Sequence, residues 1–413
     1  MALLGYPLDG SAERADRWEQ SLGVMPFDPA VNMLGWEETR RRPALALRLR
    51  LALLVRRFDV ALSEGLTDWR RLAPKVSAGR ERIYFWGSEE AIAAARSWFS
   101  GGRLPDDGTL GGLELGTTTY VMEDHGPATI AVADHAASCT TAVPAIGVGL
   151  VTCDELFREG VASMRTEIRS RHPAPGVPSG MASHLLAVRE FRLSYWGVAP
   201  WYIGWGEHEM LGYFELPADP ERTRRMILDA PGPFIADASD RAFADALVAL
   251  NLGEDRPAAA DAPPGTKAQA GPIRWEVHLP GPLLMPWHRA VVRPTRRRDG
   301  STLDAALSTV AATPRNACTT VEVPVEDPAF LPVQRQLVAS GFQLAALAPP
   351  VHIEGEGRLG FTGLWTRVTS ELPVAAPYYL TSTLLNNRES EVVSHVHRLS
   401  DRWTGHQRAS RAA

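Results

Sequence analysis

The chain has 413 residues, 45% of them hydrophobic and 22% charged, with a formal net charge of −5. That describes a globular protein long enough for two or three cores, and so mild an acidity leaves no footprint for nucleic acid or an anionic membrane. Lysine occurs only at Lys75 and Lys267 and no G-x-x-x-x-G-K-[ST] is present, which excludes a P-loop nucleotide site.

In chain order, the N-terminus turns polar and acidic too early for a signal peptide. The most apolar early run, Pro43–Val55, is interrupted by Arg48 and Arg50, so it does not span a bilayer. Cys139, Cys153 and Cys318 are too few for a disulfide framework and fit a reducing compartment, so the expected location is cytoplasmic, with no membrane partner. Residues 11–99 read as mainly helical, with Leu47, Leu51, Leu54 and Phe58 forming an apolar stripe. The arginines beside that stripe lack the aromatic interleaving of a nucleic-acid surface. Arg82–Trp86 is a predicted strand, and Ser88 caps a predicted helix that Gly101-Gly102 ends.

Thr117–Met122 and Ala128–Ala133 read as strands around the turn Asp124-His125-Gly126-Pro127. Ala142–Val151 reads as a further β run and Cys153–Arg171 as a helix. The aromatic-dense stretch Met181–Leu216 contains two predicted strands, Phe191–Trp196 and Leu211–Leu216, with a turn at Gly204-Trp205-Gly206. Helices are expected from Asp219-Pro220 to Leu228 and over Asp237–Leu250. Residues 254–271, rich in alanine, proline, aspartate and glycine, read as a linker. The expected organisation is an N-terminal α/β domain at 1–252, a linker at 253–272, a second domain at 273–370 and an extension at 371–413, extended over Tyr378–Leu385 and helical over Glu389–Trp403.

The second domain carries the most information. Arg289–Arg293 is a β-branched run that Pro294 is expected to stop, followed by the basic turn Arg296-Arg297-Arg298-Asp299-Gly300. Leu303, Ala306, Leu307 and Val310 recur at helical spacing, Thr319–Val325 is a second β-branched run, and Gln334–Ser340 reads as a helix that Gly341 stops. A glycine turn between strand and helix leaves unpaired N–H groups at a helix N-terminus, a place suited to an anion, and arginine adds bidentate reach towards phosphate.

The order Val292-x-Pro294-x-x-Arg297-x-x-Gly300 resembles the cofactor-binding motif of the GNAT superfamily of acyl-CoA-dependent N-acyltransferases. In that family a strand ending V-x-P runs into R-x-x-G-x-G/A at a helix start. The strand Val321–Val325, the following helix, Gly341-Phe342 and the hairpin Gln343–Leu347 with Leu359–Val368 match the elements that come next, so the resemblance covers 273–368. It implies a mixed, mostly antiparallel sheet flanked by helices (α/β in the α+β sense), with the Val291–Val292 and Val321–Val325 strands parallel and joined by a right-handed crossover.

The resemblance further implies binding of acetyl-CoA or another acyl-CoA, and transfer of its acyl group to a small-molecule amine. The diphosphate would lie on the N–H groups of Gly300, Ser301 and Thr302, beside Arg297 and Arg298, and the pantetheine arm along Ala290, Val291 and Val292. His288, Glu276 and Glu322, on adjacent predicted strands, are the candidates for general base. The chain departs from the family's pattern at Thr302, where Gly or Ala is usual, and at Leu337, where many members place a tyrosine acid. A non-catalytic acyl-CoA-binding module therefore stands beside the enzyme reading. The echo of Cys139-Thr140-Thr141 in Cys318-Thr319-Thr320 raises a tandem arrangement of two related domains.

Elsewhere, Asp134-His135-x-x-x-Cys139 offers a thiol with an imidazole close by, a third reading as a cysteine-dependent enzyme, against a structural cysteine among small residues. His125 and Cys153 add ligand types but match no zinc spacing, Gly206-Glu207-His208-Glu209 lacks the second histidine of a zincin, and His395-x-His397 is a poor ligand pair, so no metal is expected. The tryptophans and tyrosines of 195–214 either line an acceptor pocket or form core.

Overall fold

The computed structural model describes residues 27–57, 81–104, 114–125, 128–133, 137–138, 145–168, 194–203, 207–230, 232–252, 273–278, 288–295, 297–313, 316–353, 357–368, 374–375, 391–392, 394–399 and 401–403. The linker 253–272, the turn at 126–127, the group Asp134, His135 and Cys139, and the extended stretch 378–385 lie outside them. Contacts divide the chain into two compact units, Met1–Thr166 with Arg189–Arg192, and Glu167–Val188 with Leu193–Ala413.

The strands of the first unit are β1 (Met33–Leu34), β2 (Glu81–Gly87), β3 (Leu115–His125), β4 (Ala128–Ala133), β5 (Ala137–Ser138) and β6 (Ser163–Ile168), in sheet order β1-β2-β3-β4-β6 with β5 on β3. Its longer helices are α1 (Pro43–Arg57), α2 (Glu89–Gly101) and α3 (Ala145–Arg158). The α2 ends are those the sequence predicts: the Ser88 hydroxyl accepts from the Ala91 N–H, and Gly102 closes the helix at φ 71°. Among the described side chains of α1, Leu45, Ala46, Leu47, Leu49, Arg50 and Leu53 are buried and Arg48 is exposed; of the predicted stripe Leu47 is buried, and the side chains of Leu51, Leu54 and Phe58 lie outside the described residues.

The reading of 142–171 is corrected. The predicted β run belongs to α3, and the second half of the predicted helix is β6. Pro144 immediately precedes α3 and Gly160, at φ 86°, follows its end, so the helix occupies a frame about ten residues earlier than its apolar spacing suggests. The consequence is topological. β3 and β4 pair antiparallel, α3 follows, and β6 returns parallel to β4, with Ile130 opposite Ser163 and Val132 opposite Arg165.

The second unit holds β7 (Ser194–Ile203), β8 (Glu207–Pro217), β9 (Arg274–His278), β10 (His288–Thr295), β11 (Asn316–Pro324), β12 (Gln343–Ala348), β13 (Val351–Ile353), β14 (Gly357–Leu359), β15 (Thr362–Val368) and β16 (Val374–Ala375). The sheet order is β8-β7-β12-β15-β11-β10-β9; β16 lies parallel on β8, and β13 with β14 forms a separate ribbon. Helices α4 (Pro220–Asp229), α5 (Ala238–Leu252), α6 (Leu303–Ala311) and α7 (Leu331–Ala339) flank it, and residues 394–399 are also helical. Asp219 caps α4, and Gly341 at φ 80° follows α7.

In the second unit β9 and β10 are antiparallel, α6 follows, and β11 runs parallel to β10, as predicted. Tyr195, Trp196, Tyr213 and Phe214 are all buried, so these members of the aromatic stretch are core. The chain is thus mixed α/β, mostly antiparallel, with flanking helices. No described helix is long and apolar enough to cross a membrane.

Candidate functional site

The site implied by the sequence lies where β10 and β11 part. Their pairing runs from His288 opposite Asn316 to Val292 opposite Val321, with a register shift between His288 and Arg289. Beyond that rung β10 continues beside β9 as far as Thr295, and β11 beside β15 as far as Pro324. Two parallel strands that stay paired on their outer sides while separating from each other leave backbone groups facing a gap.

Pro294 does not stop the strand, contrary to expectation; it sits within β10 opposite Trp275. Trp275 exchanges both its backbone hydrogen bonds with Ser301, each 2.9 Å, so it is turned away from β10. By the alternation of an antiparallel ladder, Pro294 is turned away from β9, towards the gap. A proline fits there because no β11 acceptor waits for an N–H. What it offers the gap is a carbonyl oxygen.

Arg293 and Glu322 are the next residues past the last rung. The Arg293 Nε donates to Glu322 Oε2 at 2.7 Å and Nη2 to Oε1 at 3.2 Å, with the side chains 12% and 7% exposed. On the other side Arg293 stands opposite Glu276 of β9. The described candidates for base are therefore gathered around an arginine that the sequence reading passed over. Glu322 is held in a two-point charged clasp, and Glu276 shares a 3.0 Å hydrogen bond with His278. His288 opens β10, opposite Asn316. Ala290 and Val292 are fully buried and Val291 is half-buried, which is what a central parallel strand requires.

The basic turn is tied down by its own backbone. The Gly300 N–H donates to the Arg297 carbonyl at 3.3 Å and the Ser301 N–H to Trp275; the Ser301 hydroxyl also donates to the Trp275 carbonyl at 3.2 Å. The Thr302 hydroxyl caps α6 by accepting from the Ala305 N–H at 3.3 Å. A Cβ at Gly300 would meet Thr295 Cγ2 at 2.7 Å and the Arg274 Cβ at 2.8 Å, so close packing of β9 against the turn accounts for this glycine. Arg297 and Arg298 are exposed, Arg297 alongside Asp299. Leu337 is fully buried on α7.

The first unit holds a counterpart that the sequence reading missed. Helix α3 lies between the parallel strands β4 and β6, as α6 lies between β10 and β11, and it carries Gly147 and Gly149 within its first two turns, whereas the Gly300–Thr302 turn precedes α6. The misread frame of α3 concealed it. The first unit also carries Cys153, 5% exposed, whose thiol burial pushes up to about 12. Beside it the Tyr120 and Thr152 hydroxyls are 2.8 Å apart. His125 bonds Glu123 at 3.1 Å. Among the described residues no three His, Cys, Asp or Glu side chains converge on a metal position.

Comparison of the chain with protein-family models, with curated proteins and with solved structures yields no match.

Proposed function

We propose that the chain is an acyl-CoA-dependent N-acyltransferase of two related α/β halves, moving an acyl group from acetyl-CoA or another acyl-CoA to the amine of a small molecule. The observation that carries this is the parting of β10 and β11 after Val292 and Val321, just before the arginine-bearing turn and helix α6. An extended thioester arm can lie along a strand whose partner has left it, accepting and donating backbone bonds as an added strand would. Arg297 and Arg298 stand at the end of that strand, where a diphosphate would follow. The repeated succession of antiparallel pair, helix and parallel return in the two units supports the tandem reading.

In the reaction the amine nitrogen attacks the thioester carbon, the tetrahedral oxyanion collapses, the thiolate leaves and the nitrogen loses a proton. The chain must hold the arm, stabilise the oxyanion and accept that proton. Glu322 is clasped by Arg293 and Glu276 is bonded to His278, and His288 stands beside them as the third candidate for base.

A second reading has its own support. The Gly300 and Ser301 amides already have partners and Leu337 stands where the family places its acid, which favours the C-terminal half as a non-catalytic acyl-CoA-binding module. The chemistry would then fall to the first unit, where α3 lies between the parallel strands β4 and β6. The test is calorimetric titration with acetyl-CoA. Binding to the parent that weakens at least tenfold in the Arg297→Glu, Arg298→Glu double variant places the cofactor on the C-terminal turn. Binding untouched by that variant moves it to the first unit, and no binding at all ends the acyl-CoA reading. Thiol release against a panel of amines then separates enzyme from module.

A further inference from the structure

The first unit contains a cavity of about 450 Å³, lined by Trp36, Thr39, Arg40, Arg41, Pro43, Ala46, Glu81 and Ile83. That volume is within the range of sites for small organic ligands. We propose that this cavity is a binding site for a small organic anion with a flat apolar body, an aromatic carboxylate in its simplest form.

The lining decides both parts of that description. Ala46 and Ile83 are buried at 2% and 4% exposure and make an apolar floor, with Pro43 and the half-buried Trp36 as walls. Thr39, fully buried, donates its hydroxyl to the Ile83 carbonyl at 2.8 Å and so offers the cavity little polarity. The Arg82 guanidinium lies over the Trp36 indole, 5.6 Å from the ring centroid. The ring is thereby held in place as one wall of the slot.

Glu81 is the lining residue that could have favoured a cationic ligand. Both its carboxylate oxygens are buried, whereas the cationic residues of the lining are exposed. The charge at the mouth belongs to Arg40 and Arg41, both exposed; Arg40 also pairs with Glu37. Guanidinium groups above an apolar slot select a planar anion, because the fork matches a carboxylate while the floor excludes water from the ring beneath it.

The inference needs no acyl-CoA and stands apart from the acyl-transfer reading. Its test is calorimetry on the full chain with three probes: 3-phenylpropionate, phenethylamine and inorganic phosphate. The expected result is saturable binding of 3-phenylpropionate alone, weakened at least tenfold in Arg41→Glu and in the cavity-filling Ala46→Leu. Arg41 is exposed, so Arg41→Glu should keep the parent's melting temperature, and a loss of binding there reports the site and not the fold. Equal binding of phenethylamine would overturn the charge assignment, and equal binding of phosphate would overturn the apolar slot. Absence of 3-phenylpropionate binding to the parent, or unchanged binding in Arg41→Glu, would overturn the site itself.

Discussion

Trp365 on β15 donates its indole N–H to the carboxylate of Asp240 on α5 at 3.2 Å, and both residues are buried. One turn further along α5, Phe243 stacks on His395 at a centroid separation of 4.0 Å, and the His395 Nε2 lies 2.9 Å from the Leu344 carbonyl oxygen. Helix α5 and the C-terminal helical residues are thus each tied to the sheet by a titratable group, and burial shifts the two groups in opposite senses.

Burial, with Asp237 nearby, pushes the Asp240 carboxyl from its ordinary 3.8 up to about 7. Between those values the unfolded chain has released its proton and the folded chain has not, so this residue's contribution is fully present below pH 4 and is lost as pH rises towards 7. Asp240→Asn keeps an acceptor for Trp365 without the charge. Its urea midpoint should exceed the parent's at pH 8 and match it near pH 4; a midpoint below the parent's at pH 8 would contradict the assignment.

His395 runs the other way. Burial, followed in effect by Arg398 and Arg402, lowers it from 6.5 to about 4, against the Leu344 bond. The unfolded chain takes up a proton below pH 6.5 and the folded chain does not, so stability is lost as pH falls from 6.5 to 4. In the parent the two slopes oppose one another. Asp240→Asn should reveal a rise in stability from pH 4 to 6.5, and His395→Gln a fall, both read from denaturant midpoints at fixed pH intervals.

The Arg293–Glu322 clasp makes a prediction about pairs. Glu322→Ala leaves a guanidinium of low exposure without its carboxylate and should cost about 3–5 kcal/mol. Replacing both residues by methionine should restore most of that, since two apolar chains carry no desolvation penalty. Equilibrium unfolding of the two singles and the double measures the coupling. Additive losses would mean that the pair acts as two separate groups.

Cys153 should be inert. With its thiol raised to about 12, the thiolate fraction near neutrality is about a thousandfold below that of an ordinary cysteine. Iodoacetamide at pH 7.5 should leave Cys153 unlabelled in the folded chain and label it in urea, as peptide mass mapping would show. Labelling at the same rate in both would indicate an opening that the packed core does not predict.

The strand–helix–strand of the second unit was legible because each signal was local and agreed with its neighbours: β-branched runs at 289–293 and 319–325, helical spacing from Leu303 to Val310, and a glycine at 341 that takes positive φ. The matching crossover of the first unit was illegible for an equally local reason. Ala142–Val151 is small and β-branched, which suits a strand by propensity, yet tertiary packing places most of it in α3. The basic turn was legible as a turn, whereas the bonds between Ser301 and Trp275 depend on a strand 26 residues away. The role of Arg293 depends on register across three strands, which no spacing in one segment encodes.

Among the described residues Gly197 joins β7 to β12 through one rung, with Ala346, at φ 124°, where a Cβ would fall 2.4 Å from the Ala345 carbonyl oxygen. The pairing of β7 with β8 shifts register between Tyr195 and Gly197, and the Tyr195 carbonyl is met instead by the Asn251 side-chain amide at 2.8 Å. A sheet stitched at one point is a natural line of separation. Amides of the β7–β8 hairpin and those of β11, β12 and β15 should therefore exchange with solvent as two cooperative blocks with different opening energies. Any residue larger than glycine at 197 would lower the barrier between them, so the fold would come apart along this seam before either block melts.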